Sequence, residues 1–194
     1  MNIVKSIIII AGLSAFNQIA MADKAIFAGG CFWCMESDFE KLDGVSEVIS
    51  GFTGGKIKNP TYRGDHTGHY EAVEINYDPA VISYQQLLDH FWKNIDPFDD
   101  RGQFCDKGHS YLSAIFVANE KHKKLAEQSR QKVVAMFPDQ KVVTPILSAS
   151  IFYPVKGAES HHQDYYKNNP IRYKFYRYNC GRDNRLKEVW GESD

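Results

Sequence analysis

Neither sign of charge is in excess in this sequence. Lys and Arg number 23 against 24 Asp and Glu, a formal net charge of −1, so nothing argues for a polyphosphate or an anionic membrane as partner. Long apolar runs are missing after the first 22 residues, which leaves no later segment that could span a bilayer as a helix. There is no internal repeat and no low-complexity tract, which excludes solenoids and compositionally disordered chains. Cysteine is sparse, at four residues. Two of them, Cys31 and Cys34, stand within one helical turn and can staple nothing distant, so redox chemistry is a better reading than a structural disulfide framework.

The apolar residues missing elsewhere are concentrated at the start. Lys5 precedes an apolar stretch that includes Ile7-Ile8-Ile9-Ile10, and Ala20-Met21-Ala22 is a small-x-small cleavage pattern. This predicts a secretory signal peptide over residues 1–22, cleavage after Ala22 and an exported, periplasmic protein. Residues 23–194 then suffice for one domain with a sizeable core.

The richest segment is Gly29-Gly30-Cys31-Phe32-Trp33-Cys34, which follows the apolar run Ala25–Ala28. It reads as strand, tight turn, helix. Cys31 falls at the helix N-terminus, where free N–H groups and the dipole favour an anion, so its thiol is expected to titrate low and to be nucleophilic. Phe32 and Trp33 read as walls of an apolar pocket at the sulfur. Further on, Gly44–Thr53 and the alternating stretch His69–Tyr77 read as strands. Ser83-Tyr84-Gln85-Gln86 is a capping box opening a helix to about Asn94. Asp96–Ser110 is a long Asp- and Gly-rich loop, Tyr111–Ala118 a buried strand and Glu120–Phe137 an amphipathic helix. Pro145 and Pro154 confine Lys141–Val155 to sheet edges. Gly157–Asn169 reads as a short helix with His161-His162 on a solvated face, and the basic, aromatic tail after Pro170 as a long, flexible C-terminal coil carrying Cys180. The alternation of strands and helices predicts an α/β (α+β) single domain, a mixed sheet flanked by helices.

Glu71 is the carboxyl that this pattern singles out. By parity it shares a face with Val73 and Ile75, where desolvation would raise its pKa and make it a general acid. The alternative is a water-facing residue at a strand entrance.

Seven ordered blocks, Gly29–Trp33, Gly51–Gly55, Asn59–Tyr62, Thr67–Glu71 with Tyr77-Asp78-Pro79, Phe91–Pro97, Asp106–Ser113 and His162–Tyr165, resemble the A-type peptide methionine sulfoxide reductases and span nearly all of residues 23–194. The resemblance implies a ferredoxin-like two-layer core and reduction of methionine-S-sulfoxide through a cysteine sulfenic acid and an intramolecular disulfide. Cys31 would be the nucleophile, Phe32 and Trp33 would hold the S-methyl group, and Glu71 would protonate the oxygen with help from Tyr62 and Tyr111. Asp106 would lie near the thiolate. Cys34 or Cys180 would resolve the sulfenic acid, with Cys105 a bystander. No metal or organic cofactor is implied. The implied partners are oxidised proteins or free methionine sulfoxide and a thioredoxin-like dithiol reductant, with the enzyme a monomer. Leu112 stands where the family usually has arginine, and the stretch from Tyr62 to Thr67 is short for the family, which bears on the pocket rim. Two other readings use the same cysteines: a thioredoxin-like disulfide oxidoreductase built on Cys31 and Cys34, and a zinc module of Cys31, Cys34, Cys105 and His109.

Overall fold

A computed structural model describes residues 22–191; the signal peptide expected over 1–22 lies, apart from Ala22, outside the described residues. Strand β1 (Asp23–Gly29) runs into helix α1 (Phe32–Phe39) through a turn that both glycines make possible. Gly30 sits at φ +84°, where a side chain would be strained. A Cβ on Gly29 would stand 2.4 Å from Met35 Sδ, so the bare backbone lets α1 pack directly against the strand it leaves.

Strands β2 (Val45–Thr53) and β3 (Tyr70–Tyr77) follow, then helix α2 (Tyr84–Lys93). Ser83 caps α2 and exchanges hydrogen bonds with Gln86 in both directions, as the capping box requires. The long loop after α2 carries a two-residue hairpin, β4 (Gly102–Gln103) and β5 (Asp106–Lys107), and leads into β6 (Ser113–Val117). Helix α3 (Glu120–Met136) precedes the short strands β7 (Ile146–Ser148) and β8 (Tyr153–Pro154). Helices α4 (Tyr165–Asn168), α5 (Pro170–Asn179) and α6 (Arg182–Trp190) complete the described chain.

The main sheet has the order β7-β6-β1-β3-β2-β8. β1, β2, β3 and β6 pair antiparallel, while β7 joins β6 in parallel. Chain order β1-α1-β2-β3-α2-β6 with spatial order β6-β1-β3-β2 is the ferredoxin-like arrangement. The two late strands that border on prolines lie at the two sheet edges, where a missing N–H disrupts no ladder. Phe27 on β1 shows how the layers join: its ring meets Phe39 of α1 at 5.6 Å, Tyr84 at 6.0 Å and Phe91 of α2 at 4.9 Å. The opposite face is lined by Ala28, Ala72, Ala114 and Phe116, with Leu147 and Phe152 of the extended segment packed on it.

The tail departs from the expected coil. It is helical, and it docks through charged and polar groups as well as through the rings of Tyr173, Tyr176 and Trp190. Asp38, buried on α1, accepts two hydrogen bonds from Arg177 Nη1 at 2.9 and 3.0 Å and lies 3.7 Å from Arg182 Nε. Arg182 is itself buried and donates to the carbonyls of Asn94 (2.6 Å) and Gly29 (3.3 Å). Arg185 pairs with Asp96 at 2.7 Å, and the Trp190 indole donates to the Ile95 carbonyl at 2.9 Å. A basic segment reads as solvated until its distant acceptors are known. Removing the shared carboxylate leaves the buried Arg182 guanidinium without its counter-charge and Arg177 with Asp183 alone. Asp38→Ala is therefore expected to lower the free energy of unfolding by about 3–5 kcal/mol, measured by urea denaturation. A loss of only a few tenths of a kcal/mol would show that α5 and α6 are held by something else.

Candidate active site

β3 sets Glu71 opposite Phe52 of β2 and on the face covered by helices, where strand parity had placed it. The side chain is 2% exposed. Its Oε2 accepts the backbone N–H of Phe32 at 3.1 Å, one of the N–H groups that the first turn of α1 leaves without a helical partner. Burial pushes the carboxyl up to about 8; the Phe32 N–H opposes this, while the charges of Asp106 and Cys34 add to it. At pH 7 Glu71 therefore carries a proton inside the protein.

Cys31 is the N-cap of α1, and its carbonyl accepts the N–H groups of Cys34 (3.1 Å) and Met35 (3.3 Å). Its thiol does not titrate low, contrary to the reading from the helix terminus. Burial, first, then the hydrogen bond with Cys34 and the nearby Cys34 and Glu71 charges push it well up, while Tyr176 pulls the other way through a hydrogen bond. The hydrogen bond from Cys31 lowers Cys34 to about 7 against the cost of its burial, and Arg182 and Arg177 assist. The Glu71 carboxyl, not the sulfur, takes the Phe32 N–H. The two buried thiols thus titrate as a hydrogen-bonded pair, Cys31 pushed up and Cys34 drawn down.

The phenols expected at the site are there. Burial raises Tyr62 to about 12, with Glu71, Cys31, Asp106 and Tyr165 adding to the rise. Tyr111 is raised by burial and then by Glu71, Tyr62, Asp106 and Cys31. Asp106 is raised by burial, while the hydroxyl of Tyr176, which donates to its Oδ2, lowers it. Phe32 is fully buried, with Phe52 against its edge at 5.9 Å and Tyr62 stacked at 5.9 Å. Trp33 lies in an aromatic stack: Tyr165 is parallel to it at 3.8 Å and Tyr176 meets its edge at 5.7 Å.

Three residues at or near this site were not assigned from sequence. Tyr176 bridges Cys31 and Asp106 by its hydroxyl. Its spacing with Tyr173, Arg177 and Cys180 is the i, i+3, i+4, i+7 repeat of a helix face, a signal present in the sequence. His162, expected on a solvated face, is buried against Trp33 and Tyr62, whereas its neighbour His161 is exposed. Cys105 is no bystander: it is exposed and disulfide-bonded to Cys180, with Cα atoms 4.8 Å apart. Cys180 consequently sits not on a loose tail but at the pinned end of α5, 3.9 Å from Asp106 Oδ2. Cys31 and Cys34 remain free thiols.

Among the described residues the zinc constellation does not assemble. Cys105 is tied to Cys180, and His109 Nε2 donates to the Gly68 carbonyl at 3.1 Å. His69 is buried, and its ring bonds to the Gly55 N–H and the Ile57 carbonyl.

Comparison with known proteins adds an independent line. Residues 23–194 match the family described as "Peptide methionine sulfoxide reductase". "Peptide methionine sulfoxide reductase MsrA 2" of Caulobacter vibrioides is 49% identical over 172 residues, covering 87% of this chain and 86% of that protein. The crystal structure of Mxr1 from Saccharomyces cerevisiae in reduced form superposes with a TM-score of 0.71 at 25% identity, over 79% of this chain and 88% of that one. The crystal structure of Mxr1 in complex with Trx2 shares the fold at a TM-score of 0.53 and 19% identity, over 76% of this chain and 87% of that one. The family match sets aside the thioredoxin-like reading. The chain belongs to the peptide methionine sulfoxide reductase family and is a thiol-dependent oxidoreductase that returns methionine sulfoxide to methionine.

Proposed function

We propose that the substrate is the S epimer of methionine sulfoxide, free or within oxidised proteins, and that Cys31 attacks its sulfur while Glu71 protonates its oxygen. The observation that carries this reading is a carboxyl that keeps its proton up to about pH 8 and is fixed on the N–H of the residue next to Cys31. A sulfoxide sulfur is a poor electrophile until its oxygen is protonated or strongly hydrogen-bonded, and a neutral acid flanked by two phenols in a dry site supplies that. Tyr62 and Tyr111 orient the oxygen, and Phe32 and Trp33 receive the methyl group. Asp106 acts through Tyr176, which reaches Cys31. Cys31 passes its proton to the hydrogen-bonded Cys34 as it attacks, a step that costs energy because Cys34 is the weaker base.

Attack by the Cys31 thiolate forms a bond to the substrate sulfur as Glu71 protonates the oxygen. The hydroxyl then passes from the substrate sulfur to Cys31 as the S–O bond and the new S–S bond break, so methionine leaves as the thioether and Cys31 becomes sulfenic acid. Cys34 then attacks the Cys31 sulfur and releases water. The sulfoxide is reduced by two electrons, and two thiols become one disulfide. Cys34 is favoured as resolving residue over Cys180 because it is a free thiol hydrogen-bonded to Cys31, whereas Cys180 is already joined to Cys105 in a disulfide. A thioredoxin-like dithiol reductant, in keeping with the solved Mxr1–Trx2 complex, restores the pair by exchange. The enzyme acts as a monomer. It works after export to the periplasm and removal of residues 1–22, a reading supported by the charged, apolar and small-residue pattern of that segment.

Glu71→Gln is expected to slow the single-turnover rate by about 10²–10⁴-fold. The wild-type rate should fall as pH rises through about 8, where Glu71 loses its proton, and the variant should lack that limb. An unchanged rate would exclude Glu71 as the acid. Mass mapping after one turnover without reductant should find a Cys31–Cys34 bond with Cys105–Cys180 intact; a bond from Cys31 to Cys180 would make Cys180 the resolving residue. Expressed with its leader in a Gram-negative host, the protein should be recovered from the periplasm with Asp23 as its first residue, and an intact Met1 terminus would overturn export with cleavage.

A further inference from the structure

Beside the site is a buried polar atom with no partner that the proposed chemistry does not use. His162 is 4% exposed. Its Nδ1 accepts the Trp33 indole N–H at 3.1 Å, which leaves the proton of the neutral ring on Nε2. That N–H is buried and, among the described residues, has no acceptor. An unsatisfied buried donor is costly and rare.

The ring touches three side chains assigned above to the substrate. It lies 4.0 Å from the Tyr62 ring, 5.5 Å from Trp33 in near-parallel stacking and 5.8 Å from Phe32. The segment that carries it is held on both sides. Gln163 bonds the N–H and carbonyl of Ser50 at 2.9 and 2.8 Å, and buried Glu36 accepts the Asp164 N–H at 2.9 Å. Glu159 accepts the N–H groups of Tyr62 and Arg63 at 2.8 and 2.9 Å. Burial pushes the imidazole down to about 4; His161 and Arg63 act in the same direction and Glu159 against it. The ring is therefore neutral above about pH 4, and its tautomer is fixed by Trp33.

Resting on the reading of Cys31 and Glu71 given above, we propose that His162 is a substrate-positioning residue: Nδ1 sets the Trp33 indole, and Nε2–H is held for a main-chain oxygen of the bound methionine sulfoxide residue. The sulfoxide oxygen is already served by Glu71, Tyr62 and Tyr111. The acceptors left on such a residue are its amide carbonyl in a peptide or its carboxylate in the free amino acid, and either satisfies the orphaned donor.

The test compares two substrates, N-acetylmethionine-(S)-sulfoxide amide and (S)-ethyl methyl sulfoxide, which has no carbonyl. In the wild type the amide should have the lower KM. His162→Phe, which keeps a ring in the stack, should shrink that advantage about tenfold, the value of one ligand hydrogen bond, with kcat for the amide changed by no more than about threefold. His162→Gln, which returns an amide N–H near the Nε2 position, should restore most of it. If the ratio of the two KM values is the same in wild type and His162→Phe, the inference is wrong, even where both KM values rise together through loosening of Trp33. A wild-type protein inert toward both sulfoxides would instead overturn the assignment of the site itself.

Discussion

One hydrogen bond organises this protein: the Phe32 N–H of α1 given to the Glu71 carboxyl of β3. It joins the first helix to the central sheet, and it fills the anion-favouring end of that helix with a group that remains neutral. A carboxyl in water would be ionised at pH 7. Here the cost of burying its charge exceeds what a single N–H returns, so the proton stays. The same bond displaces the thiol from the position that the helix terminus offers, and Cys31 is left hydrogen-bonded to Cys34.

The site is completed from the far end of the chain. α1 presents Cys31, Cys34 and Asp38 on successive turns, and α5 answers with Tyr176 against the first, Tyr173 close to the second and Arg177 on the third. Burial of Arg182 next to Asp38 binds the following helix to the same anchor. Charge pairing in this interface sets Arg177 of α5 against Asp38 of α1.

Much of the core was legible because its signals are local. The alternation of Tyr70–Tyr77 gave both a strand and the inward direction of Glu71, and the Ser83 capping box placed α2 to the residue. The glycine pair before Cys31 located the strand-to-helix turn. What escaped is non-local. The helical tail looked like a coil because its aromatic and basic residues have acceptors more than 80 residues away, such as Asp38 and the Asn94 carbonyl. His162 looked solvated because a histidine pair carries no mark of the indole it will meet. The titration of Cys31 was misread because its helix position was evident while its burial, the main cause of the rise, was not.

The bond between Cys105 and Cys180 closes a covalent ring over a sequence separation of 75 residues. β6, α3, β7, β8, α4 and α5 all lie inside it. A chain cyclised over that length has fewer unfolded arrangements to gain, worth about 4–5 kcal/mol in the loop-entropy description. The strand neighbouring β1 and the helix lying over the reactive sulfur are threaded on one loop, so neither can drift away without dragging the other. In an oxidising compartment the molecule carries its own tether; where small thiols are abundant the tether opens, and its mechanical integrity then depends on the same electron supply that its chemistry consumes.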